Sequence, residues 1–266
     1  MRGIWAVFKR ELAVYFRSPI AYAVAFAVYF FIGLLFVGNL IQVVAINTQL
    51  LGGQGQQFGQ QPIPATVLFN ATQLITFLMF LIGPLLTMRL IAEENREGTL
   101  EVLMTLPMNE SSFVIGKFLA VWGYYTILLA LTVVQVFLLS WVGALDAGTI
   151  ATSYLGAWLY GGAALAVCMI WSATTEDQVI AAFLGATTIL VLYLSELGAE
   201  YANSLTASGD AGLLSTIFRE LSLTAHYGNT LAVGLVRAHD ILYFVLMIVG
   251  ALFITTRIVE TRRYRG

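Results

Sequence analysis

The sequence predicts an all-α, polytopic membrane protein. It has six transmembrane helices, an N-terminal amphipathic helix in the membrane interface, a charged cytoplasmic loop and re-entrant helices on the outer side. Three observations carry this. Of 266 residues, 59% are hydrophobic and 11% charged, with a mean hydropathy of +0.84; a soluble domain carries about 25% charged residues. The apolar residues come in long blocks, and runs of about 18 or more read as membrane spans. Lysine and arginine fall almost wholly into alternate connecting segments, as they do in cytoplasmic loops.

The chain opens with "RGIWAVFKRELAVYFRSP". Trp5, Phe8, Leu12, Tyr15 and Phe16 share one face at 3.6 residues per turn, with Arg10 and Arg17 opposite. Lys9 sits at the edge, where its stem can snorkel. Ser18-Pro19 ends the helix. Residues 1–18 are therefore expected to lie in the inner interface; the alternative is a helix that binds a partner. The apolar run that follows is too long for the h-region of a signal peptide, so it reads as a retained first span.

The six expected spans are Ile20 to Val44, Thr66 to Met88, Phe118 to Val142, Tyr154 to Ser172, Val179 to Leu197 and Ile241 to Val259. At 1.5 Å per residue each crosses a hydrocarbon core of roughly 30 Å. Pro84 marks a potential kink in the second. Alternating ten-residue barrel strands are not the pattern. With both termini in the cytoplasm, inner segments hold Arg2, Lys9, Arg10, Arg17, Arg89, Arg96, Lys117, Arg257, Arg262, Arg263 and Arg265, and outer segments Arg219 and Arg237. That is eleven against two, which sets the orientation.

The first outer loop, "NTQLLGGQGQQFGQQPIP", reads as an uncharged flexible connector. The connection over 198–240 is longer. Leu213, Leu214, Ile217, Phe218 and Leu221 share a helical face there, and "GNTLAVGLV" adds a second apolar piece. A re-entrant pair is expected, with an amphipathic surface turn as the plainer alternative. The chain reads as one transmembrane domain over 1–266.

The loop over 89–117 begins "RLIAEENREGTLEVLMTLPMNES". Gly98 can end one helix, Thr99 can cap the next, Glu101 falls in its first turn and Pro107 follows. Glu93, Glu97 and Glu101 recur every fourth residue, so an unbroken helix would stack like charges. A break at Gly98 and a basic partner would relieve this. With its apolar Leu100, Val102, Leu103, Met104 and Leu106, the loop reads as a docking surface.

"RLIAEENREGTLEVLMTLPMNESSFVIGKFLA" resembles the first cytoplasmic loop of the ABC-2 class of ATP-binding-cassette exporter permeases. The matching residues are Arg89, Glu93-Glu94, Gly98-Thr99, Leu100-Glu101, Pro107 and Gly116-Lys117-Phe118. "FKRELAVYFRSPIAYAV" and "RAHDILYFVLMIVGALFITTRIVETRR" resemble the gliding-motility branch of that class. The resemblance implies that Arg89, Glu93, Glu94, Arg96, Gly98, Thr99 and Glu101 couple the chain to a separate ATPase subunit. It implies that ATP and Mg are bound by that partner, with no cofactor in this chain. It further implies a second permease copy or homologue, an extracytoplasmic binding protein, and a place in the cytoplasmic (inner) membrane. Trp5 to Arg17 resembles the family's connecting helix.

Chemistry of the chain's own is not expected. "SSFVIGKF" is not a nucleotide-binding loop: Ser111 stands where the first Gly belongs and Phe118 where Ser or Thr belongs. HExxH, GxSxG and CxxC do not occur. Cys168 reads as a small buried hydrophobe. His239-Asp240 reads as a cap on the last span. A net charge of −2 gives no basic field for nucleic acid. Polar residues within spans are candidate pathway or dimer-seam markers: Asn70, Gln73 and Thr76, Gln135, Thr187, Thr188, Tyr193, Ser195 and Glu196. Helix–helix hydrogen bonding is the favoured reading of them, with the pathway or seam as the alternative. Two functions stand: outward transport powered by the partner ATPase, and mechanical transmission to an extracytoplasmic partner with nothing transported.

Overall fold

The computed structural model describes residues 2–49, 63–98, 109–205 and 212–263, and all regular structure among them is helical. The elements are α1 (Arg2–Arg17), α2 (Pro19–Gln49), α3 (Ile63–Thr87), α4 (Ala92–Arg96), α5 (Glu110–Leu131), α6 (Val133–Ser140), α7 (Ala147–Thr174), α8 (Gln178–Leu205), α9 (Leu213–Leu221), α10 (Leu223–Gly228), a 3-10 turn (Leu231–Val233) and α11 (Ala238–Arg263). Among the described residues, six stretches are long and apolar enough to cross a membrane: Pro19–Ala45, Pro64–Arg96, Glu110–Ser140, Ala147–Thr174, Gln178–Ser204 and Ala238–Thr261. All six expected spans are present. α1 and α4 lie at one end of the bundle, here the near end, and α9 and α10 at the other.

α7 is the hub. Of its most apolar stretch 78% is buried, against 28%, 28% and 22% for the first, fifth and sixth spans. It packs against α3, α5, α8 and α11. Its buried Gly156, Ala157, Gly161, Gly162, Ala163 and Ala164 let large rings approach its backbone. Tyr125 on α5 donates to the Ala157 carbonyl at 2.9 Å, and Trp122 stacks on Trp158 at 4.1 Å. Phenol and indole groups thus satisfy their polar ends against a neighbouring backbone, where lipid offers no partner.

The third span differs from its expected form. It begins at Glu110, two turns before Phe118, which places Lys117 inside the helix. It is also two helices, α5 and α6, meeting at Thr132. The Thr132 hydroxyl donates back to the Leu129 carbonyl at 2.7 Å and lies 3.2 Å from the Tyr154 hydroxyl. That local bond competes with the regular ladder, a break with no proline to announce it. By contrast α3 stays helical through Pro84.

Two apolar cores result. The larger joins α3, α5, α7, α8 and α11 with the first half of α2. The smaller, at the far end, gathers Phe36, Val43, Val67, Leu68, Ala71, Val136 and Leu139. Of the two expected pieces between the fifth and sixth spans, the first is helical as α9, while the second holds only the 3-10 turn Leu231–Val233. On α9 the apolar residues Leu213, Leu214 and Ile217 face outward, while Ser215 is buried. α10 and the 3-10 turn tuck inward, burying Leu223, Tyr227 and Leu231.

Candidate functional site

At the near end three separate chain segments meet around one lysine. Lys117 Nζ lies 3.1 Å from Glu11 Oε1 and 3.0 Å from Glu94 Oε1. Arg10 Nη2 closes the ring, 2.8 Å from Glu11 Oε1 and 2.9 Å from Glu94 Oε1. Two cations and two carboxylates alternate, so the group is neutral. It is also sequestered: the Lys117 side chain is 2% exposed, Glu11 10% and Glu94 14%, with Arg10 at 52%. The ammonium also sits 5.0 Å from the Phe113 ring centroid, a cation–π contact. The side-chain bond to Glu11 holds the Arg10 guanidinium above its usual range. Buried charges persist only when paired and hydrogen-bonded, and this arrangement meets that condition.

The group holds α1 and α4 on α5. Gly116 makes this possible: a β-carbon there would lie 2.8 Å from Val7 Cβ and 3.1 Å from the Ile4 carbonyl. The Gly-Lys-Phe run thus divides its work. Gly116 admits the α1 backbone, Lys117 binds the carboxylates, and Phe118 enters the core. Tyr15 adds a tie to the second span, donating to the Leu86 carbonyl at 2.6 Å. Burial and the nearby Glu11 raise the Tyr15 phenol above its usual range, so it stays a donor.

α4 is fixed from beneath as well. Its entry amides, Ile91 and Ala92, donate to Ser172 Oγ on α7 at 3.1 and 3.2 Å, and that hydroxyl donates to the Met88 carbonyl at 3.2 Å. Arg89 grips Glu93 with two bonds, at 3.1 and 2.9 Å. Gly98 then adopts φ +68°, ending the helix as expected from its lack of a β-carbon. Arg96, Glu97 and Gly98 are the exposed residues at this end of the loop.

Within the chain, Arg89 holds Glu93, and Arg10 with Lys117 holds Glu94. The apolar face of α1 divides between the bundle and the outside. Val7 and Glu11 are buried, Phe8, Leu12 and Tyr15 are half-buried, and Trp5 and Phe16 are exposed. Lys9 lies over the Trp5 ring at 5.2 Å, and Arg17 is exposed. Glu11 was missed, although a lone carboxylate four residues after Val7 on an otherwise apolar face was its signal. Thr99 and Glu101, with the apolar part of the loop, lie outside the described residues.

The polar residues of the spans are dispersed. Asn70 donates to Asn39 on α2 at 2.8 Å, and Glu196 accepts from Asn229 at 3.0 Å. Gln73 reaches the backbone of Gly228, where a β-carbon would lie 2.7 Å from its amide nitrogen, and Thr76 donates to the Gln73 carbonyl at 2.8 Å. Thr188 bonds within its own helix, to Leu184 at 2.8 Å. Gln135 is half-buried on α6.

Comparison with known proteins places this geometry. Residues 15–195, from the end of α1 through most of α8, match the family described as ABC-2 family transporter protein. The chain is 33% identical over 119 residues to the probable ABC transporter permease protein NosY of Stutzerimonas stutzeri. It is 32% identical over 120 residues to the protein of the same description from Pseudomonas aeruginosa. These alignments cover 44% and 45% of this chain and 38% of each relative, so the chain spans about two fifths of the relatives it matches. Neither relative carries the gliding-motility description that the terminal stretches resemble. With six apolar spans and a family match over most of its length, the chain belongs to the ABC-2 family of transporter membrane proteins, as a permease subunit.

Proposed function

We propose that this permease converts the motion of a separate ATPase subunit into movement of its spans, and that the near-end charge cluster is where the motion enters. The supporting observation is the Lys117 cluster, which makes α1, α4 and α5 one mechanical unit. A load on the loop after Gly98 reaches α4 first. From there it passes to α1 through Arg10, to α5 through Lys117 and to α7 through Ser172. Exposed Arg96 and Glu97 at the α4 end offer charge to the ATPase. ATP and Mg bind on that partner, and this chain supplies no catalytic group.

In this reading both termini and the near end face the cytoplasm, as the lysine and arginine distribution requires. The exposed Trp5, Val14 and Phe16 rest in the inner leaflet boundary, with Arg17 toward headgroups. A second permease copy or homologue packs beside the first, and cargo moves outward along the seam. α9, with its outward apolar face, sits at the outer leaflet.

One observation favours mechanical transmission as a second reading. Asn70 and Glu196, candidates for a path, spend hydrogen bonds inside the chain.

The experiment is co-purification with the ATPase and measurement of its stimulated turnover. R96E/E97K should weaken association at least tenfold while leaving membrane insertion unchanged. G98P should retain association but lose stimulation, because proline cannot adopt φ +68° and lacks the amide that bonds Asn95 at 3.3 Å. Unchanged stimulation in both variants refutes the proposal. Uptake into sealed vesicles then separates cargo export from mechanical transmission.

A further inference from the structure

A second cluster lies at the far end, where a cavity of about 500 Å³ is bounded by α8, α9, α10 and the start of α11. The fold brings His226, on α10, to His239 and Asp240, which the sequence offered only as a cap. The three side chains each present a potential ligand atom within 4.8 Å of one another. Asp240 Oδ1 lies 2.8 Å from His226 Nδ1 and 3.7 Å from His239 Nδ1. On the other side of the rings, Glu220 Oε2 lies 3.9 Å from His226 Nε2 and 3.7 Å from His239 Nε2. The Glu220 carbonyl is 3.4 Å from His226 Nε2.

We propose that His226, His239 and Glu220 bind a first-row divalent transition-metal ion of the zinc type, with Asp240 orienting the two imidazoles. Three features support this. Metal-bound histidines characteristically give their other N–H to a carboxylate, which fixes tautomer and ring angle. Asp240 stands in that position for His226 and close to it for His239. The 3.7 and 3.9 Å separations are too long for hydrogen bonds. They are close to the edge of a tetrahedral zinc sphere, about 3.4 Å for bonds of about 2.0–2.1 Å. Small rotations of the exposed His239 and Glu220 side chains complete it. The His226 ring is already held, stacked on Tyr243 with centroids 3.9 Å apart.

The electrostatics point the same way. Asp240 has a side chain 6% exposed, and its Oδ2 is buried with no hydrogen-bond partner among the described residues. Four carboxylates, Glu196, Glu200, Glu220 and Asp240, line the cavity against two guanidiniums, Arg219 and Arg237. The surplus of two negative charges is what a divalent cation neutralises. The bound ion would tie α9 and α10 to the head of the sixth span. This site is independent of ATPase coupling at the opposite end.

The test uses the full chain, purified in detergent through a histidine-free tag, and Zn²⁺ alone. After incubation and gel filtration, wild type should retain one Zn²⁺ per chain by elemental analysis. H239A/E220Q changes two exposed side chains, so it keeps the fold and should lose at least tenfold in affinity; D240N should fall by a similar factor. A hundredfold excess of Mg²⁺ should not displace the ion, because imidazole ligands disfavour it. Failure of wild type to retain zinc, equal retention by H239A/E220Q, or displacement by Mg²⁺ would overturn the proposal.

Discussion

Replacing Lys117 with methionine is the sharpest probe of the near-end cluster. The substitution keeps much of the apolar stem and removes the charge. Lys117 holds Glu11 at 3.1 Å and Glu94 at 3.0 Å with a side chain 2% exposed. Removing one partner from a buried ion pair costs about 3–5 kcal/mol, because the other charge is left without compensation. Arg10 still bonds both carboxylates, but its side chain is 52% exposed, and solvent screens such pairing. The expected loss therefore lies at the lower end, about 3 kcal/mol. Adding E94Q removes one stranded charge and leaves Glu11 with Arg10, so K117M/E94Q should recover on the order of 1–2 kcal/mol. Equilibrium unfolding in mixed micelles, followed by tryptophan fluorescence, measures both values. Limited proteolysis between α1 and α2 reports whether α1 has come away. If K117M lies within about 0.5 kcal/mol of wild type, or the double variant is less stable than K117M, the cluster does not hold these helices.

Three further outcomes follow from the packing. G116A should destabilise by about 1–3 kcal/mol, since its β-carbon would meet Val7 and the Ile4 carbonyl, whereas G250A, with open space around it, should not; the same unfolding assay compares them. S172A should speed hydrogen exchange at the Ile91 and Ala92 amides, which lose a shared acceptor at a cost of about 1–3 kcal/mol; unchanged exchange would remove Ser172 from the path into α7. D146A should lower the thermal midpoint near neutral pH, because Asp146 caps α7 through the Thr149 amide at 2.9 Å and hydroxyl at 2.8 Å. Those bonds, led by the hydroxyl, depress the Asp146 carboxyl below its usual value. Its contribution is present above the unfolded carboxylate range of roughly 4 and is lost as pH falls through the lower folded value, so the two proteins should converge in acid.

The spans and the break at Gly98 were legible because each depends on local signals: apolar length for the first, a missing β-carbon for the second. The roles of Glu11 and Lys117 were not. Each looked ordinary alone, and their meaning lies in a meeting across 106 residues of chain. Lys117 was counted among cytoplasmic charges because charge near a span end reads as solvated, although here two carboxylates hold it inside. The same reason hid His226 from Asp240, fourteen residues apart and joined only when α10 folds back over the sixth span. The joint at Thr132 escaped because its cause is one hydroxyl turned onto its own helix. Periodicity finds the rods; it does not say which polar atoms close the gaps between them.

That joint divides the third span between two neighbourhoods. α5 belongs with the lysine and the large interior, while α6 sits with Phe36, Val67 and Leu68 in the small one. A disturbance that loosens the lysine end of this span therefore meets a different set of neighbours from one that starts at its other arm.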